Sequence, residues 1–522
     1  MPRSALALLA AVALLAGCHL DINDPGSDPP AGIFYFPSGI AMDPAGQYLY
    51  VSNANADLRY GGGTVQIVDT ERFDCAFRAF KGLPQDPAAQ CPNASADAKL
   101  CQTDPLDPTL TNCGPQPNFA AALPDVNDPL PFIVGDKGAQ TVRVGNFAGQ
   151  VVVQKVGGSA NLRRLFVAVR GDPSVTFINV DLDHDSATRG MLDCFNGAPP
   201  PGDAPPSCAA SNLVQAYACV GKPNCLMTQN NLPPEPFGMG LDEGTLADGT
   251  AYARLLVSHQ DGGQVSLIDV RSSPQLIDVS SPFFTPVMQT AGMSRNGAFG
   301  LAVQHPGSSS SSWYLTSNLQ PVISTFRVAD LGVVVPSVSF SIGGSFAMGN
   351  DVRDVVFDED GRRAFLTENN PPSLVVLDTG PGMTAADPGV AANQLVDIVD
   401  VCQTPSHVKA LPVDVPGAPG QPPRHTSRLY VVCFLSNQVM VVDPDLPAVL
   451  DTILVGRGPN DLAFNITPDH PHPAHPYAFV TNFSESTIGV IDLDPNSPTW
   501  DRMVARIGIP VPPPPVSSSP VL

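Results

Sequence analysis

The feature that most constrains this chain is a pair of short apolar runs that recurs along it. In the clearest copy, Gly458 to Asp492, the run Leu462-Ala463-Phe464 is followed by Tyr477 to Thr481 and then Ile488 to Asp492, with turn residues between them. Each run is too short for a helix and rich in β-branched or aromatic residues, so each predicts a strand. The same pair, a strand and then a strand closing on Asp, reads YLYVSN to Asn53 with VQIVD to Asp69, RLFVAV to Val169 with VTFINVD to Asp181, and RLLVSH to His259 with VSLID to Asp269. It continues as WYLTSN to Asn318 with VISTFRV to Val328, which lacks the Asp, then RAFLTEN to Asn369 with LVVLD to Asp378, and RLYVVC to Cys433 with VMVVD to Asp443. That makes seven copies. From Asp443 to Asp492, where nothing is inserted, the interval of about fifty residues suits one four-stranded propeller blade. One such unit cannot bury its own faces, whereas seven stacked around an axis do so and leave few sheet edges exposed.

The VTN, VSN and LTEN runs, each followed by a strand ending in IVD, LID or a similar Asp-closed run, resemble the YVTN family of β-propeller repeats, related in fold to bacterial lactonase-like propellers. The resemblance covers about Phe36 to Gly508 outside two insertions. It implies an all-β chain: a seven-bladed β-propeller of four-stranded antiparallel blades with two disulfide-stapled loop insertions. It is specific for fold rather than activity, because such repeats consist mostly of core strands and serve unrelated functions.

The chain begins with Arg3 and an apolar run from Ala5 to Leu15, long enough for a signal sequence and short for a membrane span. The run ends in Leu15-Ala16-Gly17-Cys18, which resembles a bacterial lipobox. Residues 1–17 therefore read as a lipoprotein signal peptide, with Cys18 as the lipidated residue of the mature chain. His19 in place of Asp at the next position favours the outer membrane of a Gram-negative envelope. Residues 18–33 have a tether's composition, 34–509 form one propeller, and 510–522 are a Pro/Ser-rich tail. The net charge of −22 argues against nucleic acid and against direct adsorption on anionic lipid, leaving the lipid anchor as the membrane contact.

Ten further cysteines in an exported chain read as disulfides. Cys75, Cys91, Cys101 and Cys113 fall in an insertion at about 71–131, and Cys194, Cys208, Cys219 and Cys225 in one at about 184–236. Their pairing within each cluster is open from sequence alone. A Cys402–Cys433 bridge would tie neighbouring strands.

In the propeller reading, the first residues of each innermost strand face one mouth of the central channel. Pro37-Ser38-Gly39, Pro236-Phe237-Gly238, Val352-Arg353-Asp354, Pro405-Ser406-His407 and Pro459-Asn460-Asp461 fall into one register. Asp354, His407 and Asp461 then stand on three adjacent blades, with Arg353, Asn460 and Arg457 on the same rim. Two carboxylates flanking an imidazole suit a divalent cation or an acid/base pair. The plainer alternative is that they contact channel water and neighbouring backbone. Loop residues Asp57, Arg59, Arg170, Asp172, His259, Asp261, Asn369 and Glu485 read as solvated surface. DLDHD, from Asp181 to Asp185, departs from a calcium loop at Ser186 and Leu192, and the histidines of DHPHPAH, from Asp469 to His475, are held apart by prolines. No G-x-S-x-G elbow, P-loop or H-E-x-x-H is present.

These readings describe a monomeric, lipid-anchored envelope propeller that binds an envelope protein or polymer, or a ligand, without catalysis. The alternative is a lactonase-like or metal-assisted hydrolase at the channel mouth. No cofactor is expected beyond a candidate divalent cation in the channel. Cys18→Ser should move the protein from the membrane to the soluble fraction on cell fractionation, and retention in the membrane pellet would show that something other than lipid holds it.

Overall fold

The apolar runs do not alternate with polar residues as they would in a sheet with one wet face. Tyr477–Asn482 and Thr487–Asp492 are buried at every position, as expected for strands covered on both faces. The computed structural model describes residues 27–86, 91, 94–114, 141–157, 159–182, 192–194, 205–214, 232–261, 263–271, 285–286, 297–307, 311–328, 334–341, 350–380, 393–415, 424–508 and 510–511. Seven antiparallel sheets form, each stepping outward in chain order from an inner strand. The inner strands are Pro37–Met42, Ala148–Lys155, Pro236–Thr245, Ala298–Gln304, Asn350–Phe357, Pro405–Val415 and Pro459–Phe464. Each packs on the inner strand of the next blade, and the seventh packs on the first, which closes the ring.

The core lies between blades. Val65, Ile67, Leu165 and Ile178 meet between blades one and two, and Leu256, Leu267, Trp313 and Phe326 between blades three and four. The first of these seams also holds a buried ion pair, Arg163 Nε to Asp43 Oδ2 at 2.8 Å. Blade four is complete despite its weak repeat: VISTFRV forms Val322–Val328 and pairs with Ser312–Ser317 and Val334–Ser341. The missing Asp sits at a strand end, where it is not needed for pairing.

The first insertion is more than a stapled loop. Asp69, the closing Asp of the first repeat, becomes a helix N-cap: its carboxylate accepts from Arg72 N, and helix Thr70–Lys81 follows until Gly82 ends it in a left-handed turn. Phe73 and Phe77 pack among Tyr477 and Phe479 of blade seven. Asp74 accepts from Tyr477 Oη at 2.7 Å and lies 2.8 Å from His475 Nδ1. A hairpin of Cys101–Thr103 and Thr111–Cys113 then adds in parallel to Arg502–Ile507, the outer strand of blade seven. Arg506 Nη1 stands 2.7 Å from Asp104. All four strands of blade seven come from the last part of the chain, so this clasp from blade one is the contact that joins the two ends of the ring at its outer edge.

Disulfides join Cys75 to Cys91, Cys101 to Cys113, Cys194 to Cys208 and Cys402 to Cys433. The last ties the chain leaving blade five to the second strand of blade six. Cys18, Cys219 and Cys225 lie outside the described residues, as do residues 1–26 and 512–522. The Cys101–Cys113 bridge closes 12 residues of sequence separation at the clasp. Replacing both cysteines by Ala should cost about 3 kcal/mol in a denaturant titration and speed amide exchange in Arg502–Ile507; unchanged exchange there would show that the hairpin does not hold the edge.

Candidate functional site

Every inner strand departs from regular pairing at the same place. The register shifts at Pro37/Gly39, Ala148/Val151, Pro236/Met239, Ala298/Leu301, Val352/Asp354, Pro405/His407 and Pro459/Leu462. The residue before each of these irregularities is left-handed: Phe36, Phe147, Glu235, Gly297, Asp351, Thr404 and Gly458. Seven such kinks ring one mouth of the channel. Strained backbone of this kind persists only where its surroundings enforce it.

The repeat's own polar residues supply that enforcement. The hydroxyl of the VSN or VTN motif accepts the N–H of the third residue of the inner strand's opening triplet: Ser52 from Gly39, Ser258 from Gly238, Thr316 from Gly300, Thr367 from Asp354 and Thr481 from Asp461, at 2.8 to 3.1 Å. The motif's Asn reaches the following strand, Asn53 to Thr64 and Asn482 to Thr487. His259 takes the Asn role in blade three, with Nε2 2.8 Å from Ser266 Oγ. It is fully buried rather than solvated, and burial pushes its pKa down to about 4.

The third residue also joins each blade to the next. In blades one, three and four it is glycine, and an added Cβ would collide with the carbonyl oxygen of Gly149, Phe299 or Arg353 across the seam. In the other blades a side chain spans that gap. Gln150 accepts from Met239 N at 2.6 Å, Asp354 from Val408 N at 3.1 Å and Asp461 from Ile40 N at 3.4 Å. His407 Nδ1 lies 2.6 Å from Asn460 O, to which it donates. The structure thus brings Asp354, His407 and Asp461 to one rim and gives each a contact with neighbouring backbone.

Sequence reading missed the cation among them. Lys409, two residues beyond His407 on the same strand, places Nζ 3.2 Å from Asp461 Oδ1. Burial works against Asp461's charge, but Lys409, His407 and backbone donors outweigh it and hold its pKa below the usual carboxylate range. For Lys409 burial is likewise opposed by Asp461 and Asp354, and its pKa rises. Asp354 goes the other way: burial pushes its pKa up more than His407 and Lys409 nearby pull it down, and among the described residues no side-chain cation is hydrogen-bonded to it. Two carboxylates face one ammonium. Among the described residues no three His, Cys, Asp or Glu groups converge as metal ligands.

Above this floor opens a cavity of about 360 Å³ whose lining mixes phenylalanines with polar side chains and glycine backbone. Phe237 and Phe299 pack at a 38° tilt with centroids 3.8 Å apart, with Arg170 5.7 Å over the first and Arg353 5.5 Å over the second. Phe434 and Phe483 form a second pair, 6.0 Å apart. Both arginines are already paired: Arg170 with Glu235 at 2.5 Å, and Arg353 with Asp351 through two 2.8 Å hydrogen bonds. Asn460 donates to Ser38 O, and Arg457 to Val511 O. Phe299 opens a blade without the proline that marks the register elsewhere, and Phe434 and Phe483 follow the second strands, so periodicity alone did not single them out.

The remaining candidates lie apart from the cavity or serve structure. Asp57 pairs with Arg59 at 3.0 Å on the surface, Asn369 donates to Asp351, Asp172 accepts from Ser174, and Asp261 is exposed. Glu485 is buried and stands 2.7 Å from Arg506. His475 is held by Asp74 and does not converge with His470 and His472. Residues from Asp183 to Asp185 of DLDHD lie outside the described residues.

No protein-family model matches the chain, and no curated protein matches it. Similar solved structures include the periplasmic gluconolactonase of Pseudomonas aeruginosa, 14% identical over 81% of this chain and 87% of that one with a TM-score of 0.45. They also include a putative 6-phosphogluconolactonase of Bacteroides fragilis, 13% identical over 80% and 84% with a TM-score of 0.40. A third is the Myceliophteria thermophila Cps50 (Swd1) β-propeller domain, 9% identical over 89% and 98% with a TM-score of 0.44. At these identities the likeness concerns the propeller fold.

The Lys409–Asp461 pair makes a signed prediction. A depressed carboxyl pKa and a raised ammonium pKa stabilise the fold between about pH 4 and pH 10, and that contribution is lost as pH falls through the folded pKa of Asp461. Lys409→Met should cost about 3 kcal/mol near neutrality by stranding Asp461. The variant should then gain stability on acidification, where the wild type loses it. Parallel melting-temperature profiles against pH would show that the pair is not coupled.

Proposed function

We propose that this chain is a YVTN-type propeller of the cell envelope, held at the outer membrane by lipid on Cys18, that binds a small molecule at its channel mouth without transforming it. The observation that carries the reading is the mouth cavity, lined by several phenylalanines among polar side chains and of a size suited to a small ligand. Each floor group makes a contact across a blade seam. Asp461 is 2% exposed and bound to Lys409 and two backbone N–H groups, and Asp354 receives two backbone N–H groups. A general base needs a lone pair free to take a proton in line with its substrate, a condition that ion-paired Asp461 does not meet. The hydrolase alternative would rest on Nε2 of His407, the imidazole nitrogen not engaged by Asn460.

An envelope protein or polymer remains the proposed partner of the outer surface. Supporting it, the outer strands Gln394–Asp400 and Ala448–Leu454 of neighbouring blades leave Val396 56% and Leu454 69% exposed.

The test is a thermal-shift survey of the detergent-solubilised full chain with sugars, carboxylates, amines and aromatic compounds. At least one class should raise the melting temperature saturably, and the Phe299→Ala/Phe483→Ala variant should lose the shift. The reading fails if no class stabilises the protein or if the double variant responds as the wild type does. Consumption of a bound compound would favour the hydrolase.

A further inference from the structure

Resting on the mouth being a small-molecule site, the charge at its floor narrows the ligand. The two arginines at the rim give the cavity a basic look, but each is neutralised by its own carboxylate, Arg170 by Glu235 and Arg353 by Asp351. An organic anion would have to break one of these pairs. Deeper in, Lys409 satisfies Asp461. Asp354 shares the fields of Lys409 and His407 but has no direct ion pair among the described residues: Oδ1 accepts from Val355 N at 2.9 Å and Oδ2 from Val408 N at 3.1 Å. A carboxylate has about four acceptor sites, so two N–H contacts leave capacity on a group that lines the cavity.

The surroundings favour a cation in that place. Phenylalanine faces carry negative potential and attract ammonium groups; Arg170 and Arg353 already use this at Phe237 and Phe299, and Phe434 and Phe483 border the same cavity. The net charge of −22 adds an attractive field for cations across the whole molecule.

We propose that the ligand is an organic amine in its ammonium form bearing a flat apolar group, with the ammonium on Asp354 and the apolar group against the phenylalanine walls. It does for Asp354 what Lys409 does for Asp461. Burial raises Asp354's pKa, and an ammonium beside it would oppose that shift.

Three probes of one shape separate the possibilities: phenethylammonium, phenylacetate and 2-phenylethanol, titrated calorimetrically into the detergent-solubilised full chain at neutral pH. The amine should bind at least about tenfold more tightly than the other two, the margin of one charge-assisted hydrogen bond. Asp354→Asn should bring the amine to the level of the alcohol, whereas Phe299→Ala should weaken all three. The ranking on the wild type needs no variant, so a misfolded Asp354→Asn protein leaves the proposal exposed to refutation. Equal binding of the three, tighter binding of phenylacetate, or an amine preference that survives Asp354→Asn overturns the amine class while leaving the mouth a ligand site. Absence of binding by all three also overturns it, and the mouth reading then falls only if the wider survey fails as well.

Discussion

The seam between adjacent inner strands is the constraint from which the rest of the structure follows. Seven strands converge on one axis, and at each mouth-side end the backbone kinks so that the blade can turn outward. Each kink frees an N–H that must find a partner, and a Ser or Thr hydroxyl one strand away receives it in the blades that carry the full motif. Ser52 and Ser258 go further and donate to Gly149 O at 2.6 Å and Phe299 O at 2.5 Å in the next blade. One hydroxyl thereby fixes a kink and a blade junction together. Each bond contributes about 1 kcal/mol net, but a buried donor left without a partner costs about 1 to 3 kcal/mol, which is why the motif recurs more strictly than its individual bonds would require.

The same seam decides where charge can stand. Glycine allows carbonyl-to-backbone approach at three junctions, and at the others a side chain fills the gap. Where that side chain is a carboxylate it must be balanced in a place of low polarity. Lys409 balances Asp461; Asp354 keeps unspent capacity at the floor of an aromatic cavity. Function and framework therefore share residues. The arginines above follow the same logic, since left-handed Glu235 and Asp351 pair with them where they lie over Phe237 and Phe299. A site built this way is preorganised, with little ordering left to do when a ligand enters.

The seven-bladed ring was legible because each strand pair ends in a recognisable motif and strand pairing is local. The meeting of Asp354, His407 and Asp461 was legible for the same reason: register in a repeat transfers from blade to blade. Lys409 was not, because it lies two residues past the compared position and meets Asp461 only across the seam between blades six and seven. Gln150 and Phe299 were missed because blades two and four open with Ala148 and Ala298 instead of proline. His259 looked like a loop residue from its place at the end of a strand, and only its hydroxyl partner in the next strand reveals it as a stand-in for Asn. The helix and hairpin of the first insertion depend on contacts with blade seven, some four hundred residues away in sequence, as the His475–Asp74 pair illustrates. Such distant contacts leave no periodic trace.

The most direct measurement is an experimental map of the protein purified from its native source, at a resolution that separates ordered water from larger bound groups. The account predicts an open mouth with the Phe237–Phe299 and Phe434–Phe483 pairs apart, and non-water density within hydrogen-bonding distance of Asp354. A mouth closed by phenylalanine rings touching across the axis, or Asp354 turned away and covered by the chain's own atoms, would contradict it.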